Sequence, residues 1–300
     1  MNDVQQTMIV VFGSINADLI FPVTALPGPG ETVLAHTLRA EPGGKGANQA
    51  VAAALDGAVV AMVGAVGGDA LAETALAGLA AAGVDLSRVS RVAEPTGCAA
   101  ICTDAEGRNQ IVVALGANAV AQSAQVEGAL LRPGNLLLTQ MEAAPAETAA
   151  LILRAQARGV RTIHNLAPAA MLDPEALKAV HFLVVNEHEA AWLAGHMGIA
   201  ADSAAALSGA FGNTVIRTLG GAGVEWAGAE GAGRRAACTV EVRDTTAAGD
   251  CFVGVLAAAL DAGATLADAI ARANVAAGIA CTRAGSQRSL PNTAMISAAL

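Results

Sequence analysis

Short apolar runs at 8–13, 58–66, 135–140, 160–164, 181–185 and 213–219 punctuate this chain, each bounded by polar residues or glycine. Between them lie Ala/Leu-rich stretches of helical length at 44–55, 69–82, 145–158, 187–195 and 202–210. This alternation narrows the fold more than any other feature. A short run without polar alternation fits a strand buried on both faces. Strands that alternate with helices make βαβ units. The pattern therefore predicts an α/β fold: a doubly wound, mostly parallel sheet with helices on both faces. Two helices, about 247–261 and 265–281, are predicted near the C-terminus.

Two regions break the alternation. Residues 18–40 carry two alternating runs, Asp18–Thr24 and Thr32–Ala40, around a Pro/Gly-rich turn. Residues 88–114 carry Gly97–Thr103 and Gln110–Ala114, joined by the turn 104–109. These four strands fit a small separate sheet. No long linker, low-complexity tail or fixed-period repeat divides the chain, so a single domain over 1–300 is expected, with the small sheet as a subdomain.

Composition excludes several classes. Hydrophobic residues make up 54% and charged residues 14%, which builds a core easily. Aromatics are 2% with no tyrosine, leaving little to stack on bases, and the net charge of −9 argues against a phosphate-backbone binder. No nucleic-acid partner is expected. No purely apolar run is long enough for a membrane span. The N-terminal Met-Asn-Asp-Val-Gln-Gln-Thr reads as a short frayed tail, not a targeting signal. Cysteines 98, 102, 238, 251 and 281 form no Cys-x-x-Cys pair, and with an odd count they fit reduced thiols in the cytoplasm. Cys251 reads as a packing residue. The five histidines are scattered and form no metal motif.

Three segments carry chemistry. Asp244-Thr-Thr-Ala-Ala-Gly-Asp250 opens an apolar helix-like stretch. Small residues at a helix start uncover backbone N–H groups, and the dipole there favours anions. An aspartate at that point can take a proton from an attacking hydroxyl, which suits phosphoryl transfer; an ordinary N-capped helix would carry the same residues. Pro42-Gly-Gly-Lys-Gly-Ala-Asn-Gln-Ala50 lets a backbone approach a ligand, but it is not a Walker A loop, because Gly46 follows Lys45. Gly13-Ser-Ile-Asn-Ala-Asp18 puts Asn16 and Asp18 after a buried-looking strand, where open α/β sheets hold ligand groups.

Together with Gly116-Ala-Asn-Ala119 and Pro27-Gly-Pro-Gly-Glu-Thr32, these segments resemble the ribokinase-like (PfkB) family of carbohydrate kinases over nearly the whole chain. The resemblance implies ATP-dependent phosphorylation of D-ribose at O5. It makes the small sheet a lid over the sugar. It assigns Asp250 as general base and the N–H groups of Ala247, Ala248, Gly249 and Asp250 as the anion hole. Asn16, Asp18, Gly44, Lys45, Asn48 and Glu142 would hold the sugar. The nucleotide would meet Asn186, the loop Thr218-Leu219-Gly220-Gly221-Ala222-Gly223, Gly249 and Asn274. Glu189 is implied in magnesium and phosphate handling. A monovalent cation, potassium by family habit, would sit at Asp244, Thr246, Ala280, Arg283, Gly285 and Ser289. A homodimer through the lid strands is also implied.

The chain departs from the family at Asn165-Leu-Ala-Pro168, at Arg283-Ala-Gly285 and in the lid stretch 33–41, which bears on nucleotide geometry and sugar preference. Two alternatives stay open: the same fold acting on 2-deoxyribose, another pentose or a nucleoside, and a non-catalytic sugar-binding regulator.

Overall fold

The computed structural model describes residues 7–300, and the reading of an N-terminal tail lies outside the described residues. The strands are β1 (Ile9–Phe12), β2 (Asn16–Pro22), β3 (Arg39–Gly43), β4 (Val60–Gly67), β5 (Asp85–Val92), β6 (Gly97–Thr103), β7 (Asn109–Ala114), β8 (Leu136–Thr139), β9 (Arg161–Asn165), β10 (Phe182–Asn186), β11 (Thr214–Thr218), β12 (Val224–Gly228) and β13 (Gly231–Arg235). The helices are α1 (Lys45–Leu55), α2 (Ala70–Ala81), α3 (Pro145–Ala157), α4 (Pro174–Ala179), α5 (Glu187–Met197), α6 (Ala204–Phe211), α7 (Ala248–Asp261), α8 (Leu266–Cys281) and α9 (Thr293–Ser297).

Nine strands form the large sheet in the order β13-β12-β11-β10-β9-β8-β1-β4-β5. From β5 to β11 neighbours run parallel; β12 and β13 add an antiparallel hairpin at one edge. The chain starts at β1, moves out to β4 and β5, then returns to β8 on the other side of β1. Strand order therefore reverses between β1 and β8. Open α/β sheets bind ligands outside the carboxyl ends of the strands at such a point.

Strand alternation divides the core. Ile9 and Val11 face one way and pack with Met62, Leu136 and Leu138 beneath α1, α7 and α8. Val10 and Phe12 face the other way and pack with Val63, Leu137 and Leu151. Leu183 and Val185 continue that opposite layer against α5 and α6. The alanines let α1 and α7 approach closely. Gly254 marks the tightest place: a Cβ there would collide with the Gln49 carbonyl and the Ala52 methyl.

The remaining strands form a second sheet in the order β3-β2-β6-β7. Its positions differ from expectation at the first pair. The run expected at Asp18–Thr24 begins at Asn16, and the one expected at Thr32–Ala40 is displaced to Arg39–Gly43. Register explains the shift: β3 pairs with β2 so that Gly43 lies opposite Asn16 and Glu41 opposite Asp18. Residues 85–92, partly counted with the small sheet on sequence, form edge strand β5 of the large one. The β12–β13 hairpin was not foreseen, because three glycines at 228, 231 and 233 hide the alternation.

The α1–α7 contact holds the two motif helices in register, which gives a direct test. Gly254→Ala should cost about 1–3 kcal/mol through overpacking. Thermal unfolding should show a lowered Tm, and turnover should fall as the helices part. An unchanged Tm would mean that the contact is looser than described.

Candidate active site

Asp250 lies in the first turn of α7, and it is buried. The helix start is unusual. Its N-cap, Ala247, has φ 58°, the one non-glycine with positive φ among the described residues. A left-handed alanine costs about 1–2 kcal/mol, and such strain concentrates at functional sites. The first-turn N–H groups of Gly249 and Asp250 have no helical carbonyl behind them. The Ala248 N–H differs from expectation, because it turns to the Thr245 carbonyl at 3.2 Å. Both oxygens of Asp250 accept from amides on α1: Asn48 Nδ2 donates to Oδ2 and Gln49 Nε2 to Oδ1, each at 3.0 Å.

Lys45 begins α1, just after Gly44, whose φ of 89° and closeness to Asn16 N and Ser14 O exclude a side chain. Glu142 accepts from the Lys45 N–H at 3.1 Å and from Ser14 Oγ at 2.6 Å, so one carboxylate caps the helix and ties it to the turn after β1. Burial alone would lower the Lys45 pKa. The carboxylates of Asp250, Glu142, Glu189 and Asp18 outweigh it and hold the ammonium above its usual value.

Asn16 and Asp18 are two residues apart on β2 and share a face. The Asp18 carboxylate lies against Gly43, where any Cβ would collide with it. Asn16 Oδ1 accepts from Asn118 Nδ2 at 2.7 Å, which leaves the Asn16 amide nitrogen as the free donor. Burial, then the nearby Glu142, Asp250 and Glu41 carboxylates, push the Asp18 carboxyl up to about 7.

Two adjoining clefts flank the start of α7. One, about 220 Å³, is lined by Lys45, Asn186, Glu189, Thr218, Gly249 and Asp250 among others. The other, about 490 Å³, is walled by Thr218, Gly220, Gly221, Gly223, Ala248, Gly249, Phe252 and Asn274, with Cys238, Val240 and Gly278. Of the predicted glycine loop, Leu219 and Ala222 do not line either cleft: Leu219 is buried in the turn, and Ala222 N–H closes that turn on the Leu219 carbonyl. Asn186 and Glu189 form a reciprocal cap on α5, with both hydrogen bonds at 2.8 Å. Burial raises the Glu189 pKa despite the Asn186 N–H. Asn274 Nδ2 is committed to the Ala236 carbonyl.

The segments expected to hold a monovalent cation meet beside α7. Asp244 accepts from Thr246 N–H and Gly285 N–H, each at 2.9 Å, and joins residues 244–246 to the loop after α8. Burial opposes ionisation of Asp244, but these bonds prevail and lower its pKa. Ala280 lies in the last turn of α8 and its carbonyl accepts from Arg283 N–H. Ser289 donates to the Ser286 carbonyl, and the Arg283 guanidinium reaches Met295 Sδ. Cys251 behaves as a packing thiol, since burial pushes its pKa up.

Several residues here were missed on sequence. Gln49, Gln140 and Asn165 form a buried amide cluster behind Asp250, and Gln287 donates to Asn48 Oδ1. Asn118 and Ser14 orient Asn16 and Glu142. The available signal was polarity out of place: Asn48-Gln49 interrupts an otherwise small, apolar helix.

A family model, "pfkB family carbohydrate kinase", matches residues 6–293. The chain belongs to the pfkB family of carbohydrate kinases. It is 37% identical over 294 residues to a ribokinase of Haemophilus influenzae, covering 94% of this chain and 95% of that protein. The crystal structure of a Thermotoga maritima ribokinase superposes with a TM-score of 0.88 at 32% identity, covering 98% of each chain. The structure of an Arabidopsis thaliana ribokinase complexed with ribose and ATP gives 0.86 at 27% identity, again covering 98% of each. The four-stranded sheet and the clefts beside α7 thus belong to a sugar-kinase scaffold.

The Asp18 shift makes a signed prediction for this kinase without ligands. In the folded chain Asp18 keeps its proton to about 7, against 3.8 for a free carboxyl. Its contribution to stability is full below the lower value and is lost as pH rises through the higher one. Asp18→Asn should therefore raise Tm at pH 8 and change it little at pH 4. Equal Tm changes at both pH values would contradict the shift.

Proposed function

We propose that this chain transfers the γ-phosphoryl group of ATP to O5 of D-ribose. One observation carries the reading. Asp250 and the free N–H groups of its helix turn stand beside both Lys45, with the Asp18 and Glu142 carboxylates around it, and a cleft walled by glycine and small apolar residues. The first environment suits a polyol and the second a nucleotide.

Asn16, Asp18 and Lys45 hold the sugar hydroxyls in this reading, with Glu142 fixing Lys45 and Ser14. Asp250 accepts the proton of the attacking hydroxyl, and Gly249 and Asp250 N–H groups receive the charge that develops on the transferred phosphoryl. Closing the four-stranded sheet over the sugar excludes water, which limits ATP hydrolysis. Gly220, Gly221 and Asn274 line the nucleotide side.

Magnesium fits through Glu189, whose carboxylate lines the smaller cleft. Among the described residues no three acidic, histidine or cysteine side chains are placed to hold a metal ion, which suits an ion held mostly by phosphate oxygens. When bound it neutralises phosphate charge. Potassium would sit between the segments that Asp244 joins, where the family resemblance assigns backbone carbonyls of Thr246, Ala280, Arg283 and Gly285 and the residue Ser289 to it; it would stiffen the turn that carries the N–H groups.

The single domain with its lid is proposed to pair with a second copy. Strand β7 is an edge with every residue exposed, including Ile111, Val112 and Val113, and pairing would cover it. Five free cysteines suit a reducing cytoplasm. No helix among the described residues is long and apolar enough to cross a membrane.

Ribose specificity rests on unpaired groups. A sugar lacking a hydroxyl leaves a buried partner without its bond, at about 1–3 kcal/mol. That is roughly 5- to 150-fold in kcat/KM. Comparing ribose, 2-deoxyribose, arabinose, xylose, fructose and adenosine by ADP release should put ribose first and adenosine far behind. A clear preference for another substrate would leave a kinase but refute the ribose reading.

A further inference from the structure

Asp250 depends on a side chain that touches neither cleft. Gln49 lies on α1 and is completely buried. A buried amide is costly unless its groups are paired. Here every one is paired. Gln49 Nε2 donates to Asp250 Oδ1 and to Asn165 Oδ1, each at 3.0 Å, and Gln49 Oε1 accepts from Gln140 Nε2 at 2.7 Å.

The donor direction is fixed by chemistry. An ionised carboxylate offers only acceptors. Asn165 turns its oxygen to Gln49 because its own Nδ2 donates to the Val184 carbonyl at 3.2 Å. A reversed Gln49 amide would set its oxygen against two acceptors. Gln140 follows β8, Asn165 ends β9 and Gln49 rides on α1, so the sheet's carboxyl ends reach Asp250 through this one amide.

We propose that Gln49 is a positioning residue for phosphoryl transfer: its carboxamide, oriented by Gln140 and Asn165, holds Asp250 Oδ1 so that the carboxylate keeps a free lone pair toward the sugar hydroxyl. The proposal rests on Asp250 being the general base. A base acts only within hydrogen-bond reach of the proton it takes, and a small misplacement is costly. Asn48 holds Oδ2 in the same way but is itself tied to Gln287, and the family resemblance assigns it to the sugar. Gln49 has no such second use.

The test uses the full-length enzyme with Gln49→Glu, which is nearly isosteric, and Gln49→Met. The titratable groups facing Asp250 are Asp18 on β2, Lys45 on α1, Glu189 on α5 and the adjacent, neutral Cys251 thiol, with Glu142 close to Lys45. All are common to wild type and variants, so the difference between pH profiles reports the new pair. Like-charged carboxyls in contact share a proton, so Gln49→Glu should move the acid limb of kcat upward by about one pH unit or more. Gln49→Met should lower kcat about 10- to 100-fold with KM for ribose and ATP within about threefold. An unmoved acid limb in Gln49→Glu, or wild-type kcat in Gln49→Met, would overturn the proposal. If Gln49→Met fails to fold by circular dichroism, Gln49→Glu decides alone. Asp250→Asn separates the two levels. Turnover retained there defeats the base assignment itself, whereas a dead Asp250→Asn beside unmoved Gln49 variants defeats only the role of Gln49.

Discussion

The site is organised around one half-buried lysine. Lys45 stands among Asp18, Glu142, Glu189 and Asp250, and the attraction of those four carboxylates exceeds the cost of burying it. The reverse dependence matters as much. Four acidic groups drawn around one point would repel each other and take up protons. Asp18 already does so partially, with its carboxyl pushed up to about 7. Lys45 can hold this place only because Gly43 and Gly44 let β3 and the start of α1 come against β2 and the Ser14 backbone. A sugar that brings hydroxyls to these groups replaces water with fixed partners, which is how a polar pocket gains selectivity.

The proposed base is fixed from behind. Asn48 and Gln49 clamp Asp250, α1 packs on α7 at Gly254, and Gln287 braces Asn48 from the C-terminal loop. The proposed sugar side is carried by a four-stranded sheet whose strand β2 supplies Asn16 and Asp18. That sheet is tied to the rest by Ser286 Oγ donating to the Pro42 carbonyl at 3.0 Å, by the Arg288–Glu41 ion pair and by Asn118 donating to Asn16. A proposed base fixed from behind, opposite a cover built on a separate sheet, suits a reaction in which substrates must enter, be shielded from water and leave.

Much of this was legible in the sequence. The apolar runs marked β1, β8 and β10 because strands covered on both faces leave little polar alternation, and each appears within a residue or two of its expected place. Asp250 and Lys45 stood out because each sits among glycines and alanines that bare the backbone beside a charge, which packing alone does not require. The Thr32–Ala40 strand was misplaced because a Pro/Gly turn hides register, and register is set by the partner strand. Gln49 was passed over for a related reason. An amide inside an alanine helix has no visible purpose until another helix places a carboxylate against it. The Asn186–Glu189 pair shows the converse: it reads as a functional motif and is also a reciprocal helix cap, so both uses fall on the same two residues.

The central claim is that Asp250 and its helix turn direct the γ-phosphoryl of ATP to one hydroxyl of ribose. The regiochemistry of the product tests it most directly. D-ribose, ATP and magnesium should be incubated with the enzyme and the product examined by carbon and phosphorus NMR. The account predicts a single ribose phosphate whose phosphorus couples to C5, with one ADP formed per phosphate transferred. Phosphorus coupled to C1, a mixture of positions, or ADP released without sugar phosphate would contradict it.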